Sequence, residues 1–399
     1  MDFFSASEHE QLRQQVRDFV DAEIIPLEAD RDNWDAYENI RIDVLEQVRE
    51  RVRQAGLWAP QAPVERGGMA LPLVARAIFY EEANRSIFGP ACFNCAAPDD
   101  GNISVLARIG TPAQQQRWLQ PLIDGKVRSA FAMTEPHPGG GSDPGMIQTT
   151  ATRSGDLWRI HGRKWFITGG AEASHFILVA RTSDDQRKGL TAFLFDRDQP
   201  GWSIERRIPI MGPEEHGGHC ELVFDGLEIP DSERLLEIGD GLKVTQIRLG
   251  PARLTHCMRW LGLAKRCMEI AADYTSQREG FGVRLCDRES VQLKMGELAH
   301  EIQIGRLLVM HAAWKLDQGD FARKEVSSAK LHVANTLHKA VDVSIQLNGA
   351  RGYSCDTVLE WVYRYARQAR LVDGADEVHK MVLARFYQEQ STDFWAWGV

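Results

Sequence analysis

The chain has 399 residues, 43% of them hydrophobic and 26% charged, with a formal net charge of −9. That length can bury a large core divided into two or three domains, and the composition is that of an ordinary globular protein. The negative balance argues against a general nucleic-acid binder, and seven scattered cysteines argue against a disulfide framework.

The N-terminal stretch MDFFSASEHEQLRQQVRDFV has no basic segment followed by an apolar one. No run of about 18 apolar residues follows anywhere, so no targeting leader and no membrane span are expected, and the expected location is cytoplasmic. Residues 1–126 are predicted to form a helical domain. SEHEQLRQQVRDFV opens with Ser7 and Glu10 at capping-box spacing, and Leu12, Val16, Phe19 and Val20 recur at helical intervals. TPAQQQRWLQPLIDG carries Pro112 at a first-turn position and Gly125 as a stop. Cys92 and Cys95 form one C-x-x-C with no second pair at zinc-ribbon spacing, so no metal site is expected.

Residues 127–236 are predicted to form a small β domain. LWRIHGRKWFIT, HFILVART, LTAFLFDRD, GWSIERRIP and CELVFDGLEIP are strand candidates separated by turn residues. Residues 237–399 return to helical patterns longer than an average globular helix, which suggests a bundle.

Five stretches can carry chemistry, and each also has a plain structural reading. FAMTEPHPGGGSDPG exposes backbone N–H groups and the hydroxyls of Thr134 and Ser142; such a loop cradles phosphate or a heterocycle edge, or is simply a surface turn. In HGRKWFITGG, Trp165 and Phe166 are expected to point to opposite faces of one strand, one ring in the core and the other free to cover a ring system. SQREGFGVRL places Arg278 and Phe281 between two helices, with Gln292 downstream; this set suits a diphosphate and a base, or a charged helix end. QLNGARGY sets Gly349 and Gly352 after a long helix, either for close approach to a ligand or as a helix stop. Finally, ARLVDGADEVHK puts Asp373 after Leu371 and Val372, read as the buried end of an element, and before Gly374. Asp before Gly is common turn chemistry; a poorly solvated carboxylate is also a base.

TEP…GSD, K-W-F-I-T-G, R-x-x-F-G with its downstream Gln, Q-x-x-G-x-x-G and the acid before Gly, in this order, together resemble the acyl-CoA dehydrogenase family across nearly the whole chain. The resemblance implies an α+β multidomain fold: an N-terminal all-α domain, a middle β-barrel-like domain and a C-terminal four-helix bundle. It implies FAD between middle domain and bundle, with Met133, Thr134, Phe166, Ile167 and Thr168 at the isoalloxazine. Ser142 would reach the FAD phosphate or the substrate. Arg278, Phe281, Gln292, Gln346 and Gly349 would hold the adenosine-diphosphate half for a neighbouring subunit, making a homodimer or homotetramer; Ala375 and Glu377 would lie near FAD. Ala375 stands where a threonine is expected, and Phe166 where many relatives have Trp.

By the same resemblance the reaction is oxidation of an acyl-CoA thioester to a trans-2-enoyl-CoA, with electrons passed to an electron-transfer flavoprotein. Asp373 falls in the slot of the usual Glu base and is assigned as the base that takes the α proton; desolvation is expected to raise its basicity. Other branches place a base immediately before an Arg, but that slot is Ala252, before Arg253. Arg253 and Gly374 would contact the carboxylate or substrate. The combination of Asp373, HCMR and DGADEVH resembles the Asp-containing subgroup. Two alternatives stand beside this reading: a flavin oxidase resembling nitroalkane oxidase, with Asp373 as base, and a nucleic-acid-binding flavoprotein of the same fold.

Overall fold

The computed structural model describes residues 7–396. Helix α1 (Ser7–Phe19) continues through a π-helical turn, Val20–Ile24, which realigns the apolar stripe so that Val16, Val20 and Ile24 all reach the core. Glu10 does not cap that helix start; its carboxylate accepts from Arg13 one turn on. Helices α2 (Ile42–Gln54), α3 (Leu73–Ala83) and α4 (Asp99–Ile109) complete the N-terminal part. The expected start at Pro112 is present: Thr111 and Gln114 close a reciprocal capping box around it. Gly125 ends the segment at φ 72°, a conformation glycine adopts without a Cβ penalty.

The middle region is one sheet in the order β6-β7-β3-β2-β4-β5-β8, with β1 (Ser129–Ala132) pairing parallel to β4 (His175–Arg181). The others are β2 (Thr150–Ser154), β3 (Leu157–Thr168), β5 (Leu190–Asp196), β6 (Trp202–Arg207), β7 (His219–Pro230) and β8 (Arg234–Leu235). Alternation assigns the faces. On β4, Phe176, Leu178 and Ala180 join the core of the β domain, whereas Ile177 and Val179 face the core shared with the helices. Strand β4 is thus buried on both sides, which explains its unbroken apolar run.

The C-terminal part is built on α5 (Gly241–Gln277), α6 (Glu289–Asp317) and α7 (Arg323–Asn348), followed by α8 (Leu359–Ala369) and α9 (Asp376–Gln390). A short hairpin, β9 (Glu279–Gly280) and β10 (Val283–Arg284), links α5 to α6. Leu254, Cys257 and Leu261 of α5 pack in one core with Val333 and Leu337 of α7 and Phe79 of α3. The N-terminal helices and the bundle therefore share a core.

Candidate active site

Asp373 occupies the turn between α8 and α9. Its backbone is left-handed at φ 54°, and Gly374 follows at φ 102°. A non-glycine residue there is strained and is held by its surroundings. The expected burial of both preceding residues is half right: Val372 packs on the core, but Leu371 is 57% exposed. The turn swings out after α8 and returns its acid inward, so the chain direction at Leu371 does not predict where Asp373 points.

The carboxylate is 16% exposed, and its Oδ2 lies 3.5 Å from His256 Nε2. Oδ2 is buried and has no hydrogen-bond partner among the described residues, nor does His256 Nδ1. His256 comes from α5, as do Arg248, Arg253 and Arg259. Arg253, His256 and Trp260, at i, i+3 and i+7, share one helix face, and the His256 ring stacks on Trp260 at 5.3 Å between centroids.

Burial works against the charge on Asp373, but His256, Arg248, Arg253 and Arg259 outweigh it and hold the carboxyl below its ordinary value. His256 itself is pushed down to about 4, chiefly by burial. It is neutral at pH 7, where the positive charge facing Asp373 comes from the three arginines. This corrects the expectation of a desolvation-raised base: the acid is buried, yet positive charge keeps it ionised. Ala252, next to Arg253 on α5, is buried and has no titratable group.

Arg253 does not grip the carboxylate: its Nε donates to the Asp373 backbone carbonyl at 2.8 Å. Buried Arg248 donates to Asn102 Oδ1 at 3.1 Å and covers the Phe131 ring at 4.5 Å. Arg259 pairs with Asp100 at 3.0 Å, and Thr255 and Tyr80 also donate to that acid. A polar network thus lies under the Asp373 turn.

The second group lies on the sheet. Trp165 and Phe166 do not point to opposite faces. The β3–β7 register slips between Lys164 and Ile167, a bulge in which Phe166 adopts φ 50°. The two rings meet edge-on at 5.0 Å, and Phe166 is 45% exposed. Thr134 donates to Trp165 O at 2.7 Å and accepts from Trp165 N through its own carbonyl. Thr168 Oγ1 is 3.0 Å from His219 Nδ1. Met133 is buried, and the Ile167 side chain sits in the β-domain core, so only its backbone can face a ligand.

The loop before this strand is pinned by a buried pair. Lys164 Nζ donates to Glu135 Oε1 and to Met133 O, both at 2.8 Å, and Glu135 accepts from the backbone of Gln148 and Thr149. Ser142 stays exposed on the loop.

The third group is remote from Asp373. Arg278 caps α5 about 25 residues beyond Arg253, or roughly 37 Å along the helix. Phe281 is fully exposed at the hairpin tip with φ 54°, and Arg278 and Gln292 are exposed beside it. Ala271, Val291 and Leu347 pack together and join the ends of α5, α6 and α7 there. That places Gln346 and Gly349, both exposed, at the same bundle end. Gly349 has φ 61° and open space where a Cβ would be. Ala375 is half-buried and Glu377 exposed at the start of α9, near Asp373 rather than near Arg278.

Sequence reasoning missed His256, Arg248, Arg259, His219 and Lys164. A signal existed for the α5 residues: they are polar letters on an otherwise buried helix. Cys92 and Cys95 are both buried and unpaired, with burial pushing the Cys92 thiol up to about 12. Among the described residues there is no cluster of metal-ligating groups, and no helix is long and apolar enough to cross a membrane.

Three family profiles tile the chain: Acyl-CoA dehydrogenase, N-terminal domain, over residues 6–126; the middle domain over 130–227; and the C-terminal domain over 239–388. The chain is 35% identical to a protein named acyl-CoA dehydrogenase FadE2 of Mycobacterium tuberculosis, over 98% of both. It is 36% identical to acyl-CoA dehydrogenase family member 11 of Gallus gallus over 86% of its own length, and spans 45% of that relative. A solved structure from Mycobacterium abscessus, described as an acyl-CoA dehydrogenase, superposes with a TM-score of 0.88 at 35% identity, over 96% of this chain and 99% of that one.

Proposed function

The chain belongs to the acyl-CoA dehydrogenase family, and on that premise we propose that it binds FAD and converts an acyl-CoA thioester to its trans-2-enoyl-CoA with Asp373 as the base. The carrying observation is the half-buried Asp373 carboxylate, held below its ordinary value by His256 and the arginines and with its buried Oδ2 unpartnered. Such an oxygen can accept the α proton without first losing one of its own. His256 is neutral at that pH and does not neutralise it.

The residues fit a flavin dinucleotide in two separate places. Phe166, Thr134 and Thr168 offer a ring face and hydroxyls to a flat heterocycle, and Arg278 with Phe281, Gln292, Gln346 and Gly349 offers a charged fork, a stacking ring and open backbone to a diphosphate and base. FAD, held there, supplies the acceptor for the β hydrogen as hydride. The chain's own part is to hold the α carbon against Asp373 Oδ2, keep water out of the turn and store the proton. Arg278 lies roughly 37 Å along α5 from Arg253 at the Asp373 turn, which supports the reading that the Arg278 group serves another copy's site and that the protein works as a homodimer or homotetramer. Ser142 and Gly374 line the thioester's approach, and the electrons leave to an electron-transfer flavoprotein.

The surroundings of Asp373 are polar: His256, Arg248 and the Arg259–Asp100 pair. Burying a long hydrocarbon against them leaves polar groups poorly solvated, so a short or polar acyl group fits better. Anaerobic titration of the yellow holoprotein with straight-chain, branched and polar-substituted acyl-CoAs tests the reading. At least one thioester should bleach the flavin stoichiometrically. If none does, the reading is wrong; if a nitroalkane reduces the flavin instead, and air then reoxidises it rapidly with hydrogen peroxide release, the oxidase alternative takes its place.

A further inference from the structure

Lys330 is fully buried on α7. Its ammonium is not directed first at an acid: Nζ donates to the Gly374 carbonyl at 2.7 Å, while Asp376 Oδ1 lies 3.9 Å away. Asp376 is held instead by Arg370 Nε at 2.8 Å and Asn335 Nδ2 at 3.1 Å. One residue earlier in the turn, Arg253 of α5 donates to the Asp373 carbonyl at 2.8 Å. Two successive carbonyls are therefore each gripped by a buried or half-buried cation, and the cations come from different helices.

Under Gly374 the turn is blocked. A Cβ there would lie 3.0 Å from His379 Nε2, and His379 is fixed through Nδ1, 3.2 Å from Ser327 Oγ. Burying an ammonium against neutral carbonyls is costly, and an apolar side chain at 330 would pack on the same face as Val326, Val333 and Leu337. Stability alone does not explain a lysine at this position.

We propose that Lys330, together with Arg253, is a positioning residue that clamps the left-handed turn and so places the Asp373 carboxylate for proton removal. The inference rests on the reading of Asp373 as base. An aspartate is one methylene shorter than a glutamate and reaches less far, so its backbone must be placed more closely. A displacement of about 1 Å costs on the order of 100-fold in rate. The larger influences on the ionisation of Asp373 are burial, His256 and the three arginines; Lys330, whose Nζ is bonded to the Gly374 carbonyl, acts chiefly on where the carboxylate sits.

The test is a double-mutant cycle on the holoenzyme, read by anaerobic stopped-flow flavin reduction with whichever thioester of the same acyl-CoA panel reduces wild type fastest. Lys330→Met should keep flavin content and half-saturating thioester while the limiting reduction rate falls about 10- to 100-fold. Lys330→Arg, which can still donate to Gly374 O, should recover most of the loss. In an Asp373→Asn background, Lys330→Met should cost nothing further, because Lys330 acts only through that carboxylate. A wild-type rate in Lys330→Met, or an equal added loss in the Asp373→Asn background, overturns the clamp and leaves Lys330 as packing. If Lys330→Met fails to retain flavin, Lys330→Gln, which keeps one donor, is read in the same cycle with the same two outcomes. A wild-type rate in Asp373→Asn, or no reduction of wild type by any thioester, removes the base reading and the proposal with it; a fast Lys330→Met beside a slow Asp373→Asn removes the clamp alone.

Discussion

The Asp373 turn and the Arg278 end of the bundle are built on opposite plans. At the turn, charged groups crowd round the acid: α5 supplies Arg248, Arg253, His256 and Arg259, α7 supplies Lys330, and the Asp373 Oδ2 is buried. At the bundle end, Arg278, Phe281, Gln292, Gln346 and Gly349 are exposed, and among the described residues only the Arg288 guanidinium, 5.7 Å from its centre, lies over the Phe281 ring. A buried charged site whose cations are satisfied internally is finished when the chain folds. A donor set left in water is finished only when something lands on it. The contrast predicts that damage to the turn stops chemistry while sparing assembly, and that damage to the bundle end does the reverse.

Asp373→Asn should have the largest effect. Asn keeps the shape and the local turn bonds but cannot take a proton, so flavin reduction should fall 10²- to 10⁴-fold with flavin content and oligomeric state unchanged. Loss of flavin in this variant would mean that the turn is not the self-contained unit described.

Asp373→Glu comes next. With Oδ2 already 3.5 Å from His256 Nε2, an added methylene drives the carboxylate past its place, and the reduction rate should drop about 100-fold. Stopped-flow traces with the same thioester decide this; equal or faster reduction would show that the turn leaves room for a longer acid.

Arg278→Ala tests the other region. Removing a charge-assisted contact to a diphosphate is worth about 1.5–3 kcal/mol, so FAD should be retained roughly 10- to 100-fold less well. The reduction rate of the flavin that remains should hold. Flavin content after gel filtration, with light scattering on the same peak, measures both retention and assembly. Unchanged retention would place the diphosphate elsewhere.

The last effect falls on folding stability in acid and not on catalysis. His175, His256 and His379 are pushed down to about 4 and His216 to about 3, in each case mainly by burial. The unfolded chain, with histidines near 6.5, binds more protons than the folded one between about pH 4 and 6.5. Stability that is present above pH 6.5 is therefore lost as the pH falls through that window, by on the order of 1–2 kcal/mol per histidine at pH 5. Urea titrations at pH 7 and pH 5 read this directly. Equal midpoints would mean that the buried rings are protonated without penalty.

The order of regions and most elements were legible. Pro112 and Gly125 announced a helix and its ends, and HFILVART became β4 with its doubly buried faces. These signals are local, carried by caps, breakers and periodicity. What stayed hidden depends on contacts between distant stretches. The bulge at Trp165 and Phe166 arises from pairing with β7, so strict alternation within β3 put the rings on the wrong sides. Asp373 read as a desolvated acid, and only folding brings His256, Arg248, Arg253 and Arg259 close enough to reverse the sign of its shift. Lys330 looked like one charge in a helical run, although its spacing from Val326, Val333 and Leu337 already set it on the apolar face.

The central claim is that Asp373 takes the α proton, and exchange of that proton with solvent, as the site opens and closes, reports its removal and return. Holoprotein is incubated anaerobically in D2O with the thioester that bleaches wild type fastest, and deuterium at the α carbon of recovered thioester is followed by mass spectrometry. Wild type should wash deuterium into the α position well above the protein-free rate, and Asp373→Asn, holding the same flavin and thioester, should not. Equal exchange in the two proteins would contradict the account and return Asp373 to the role of a turn residue.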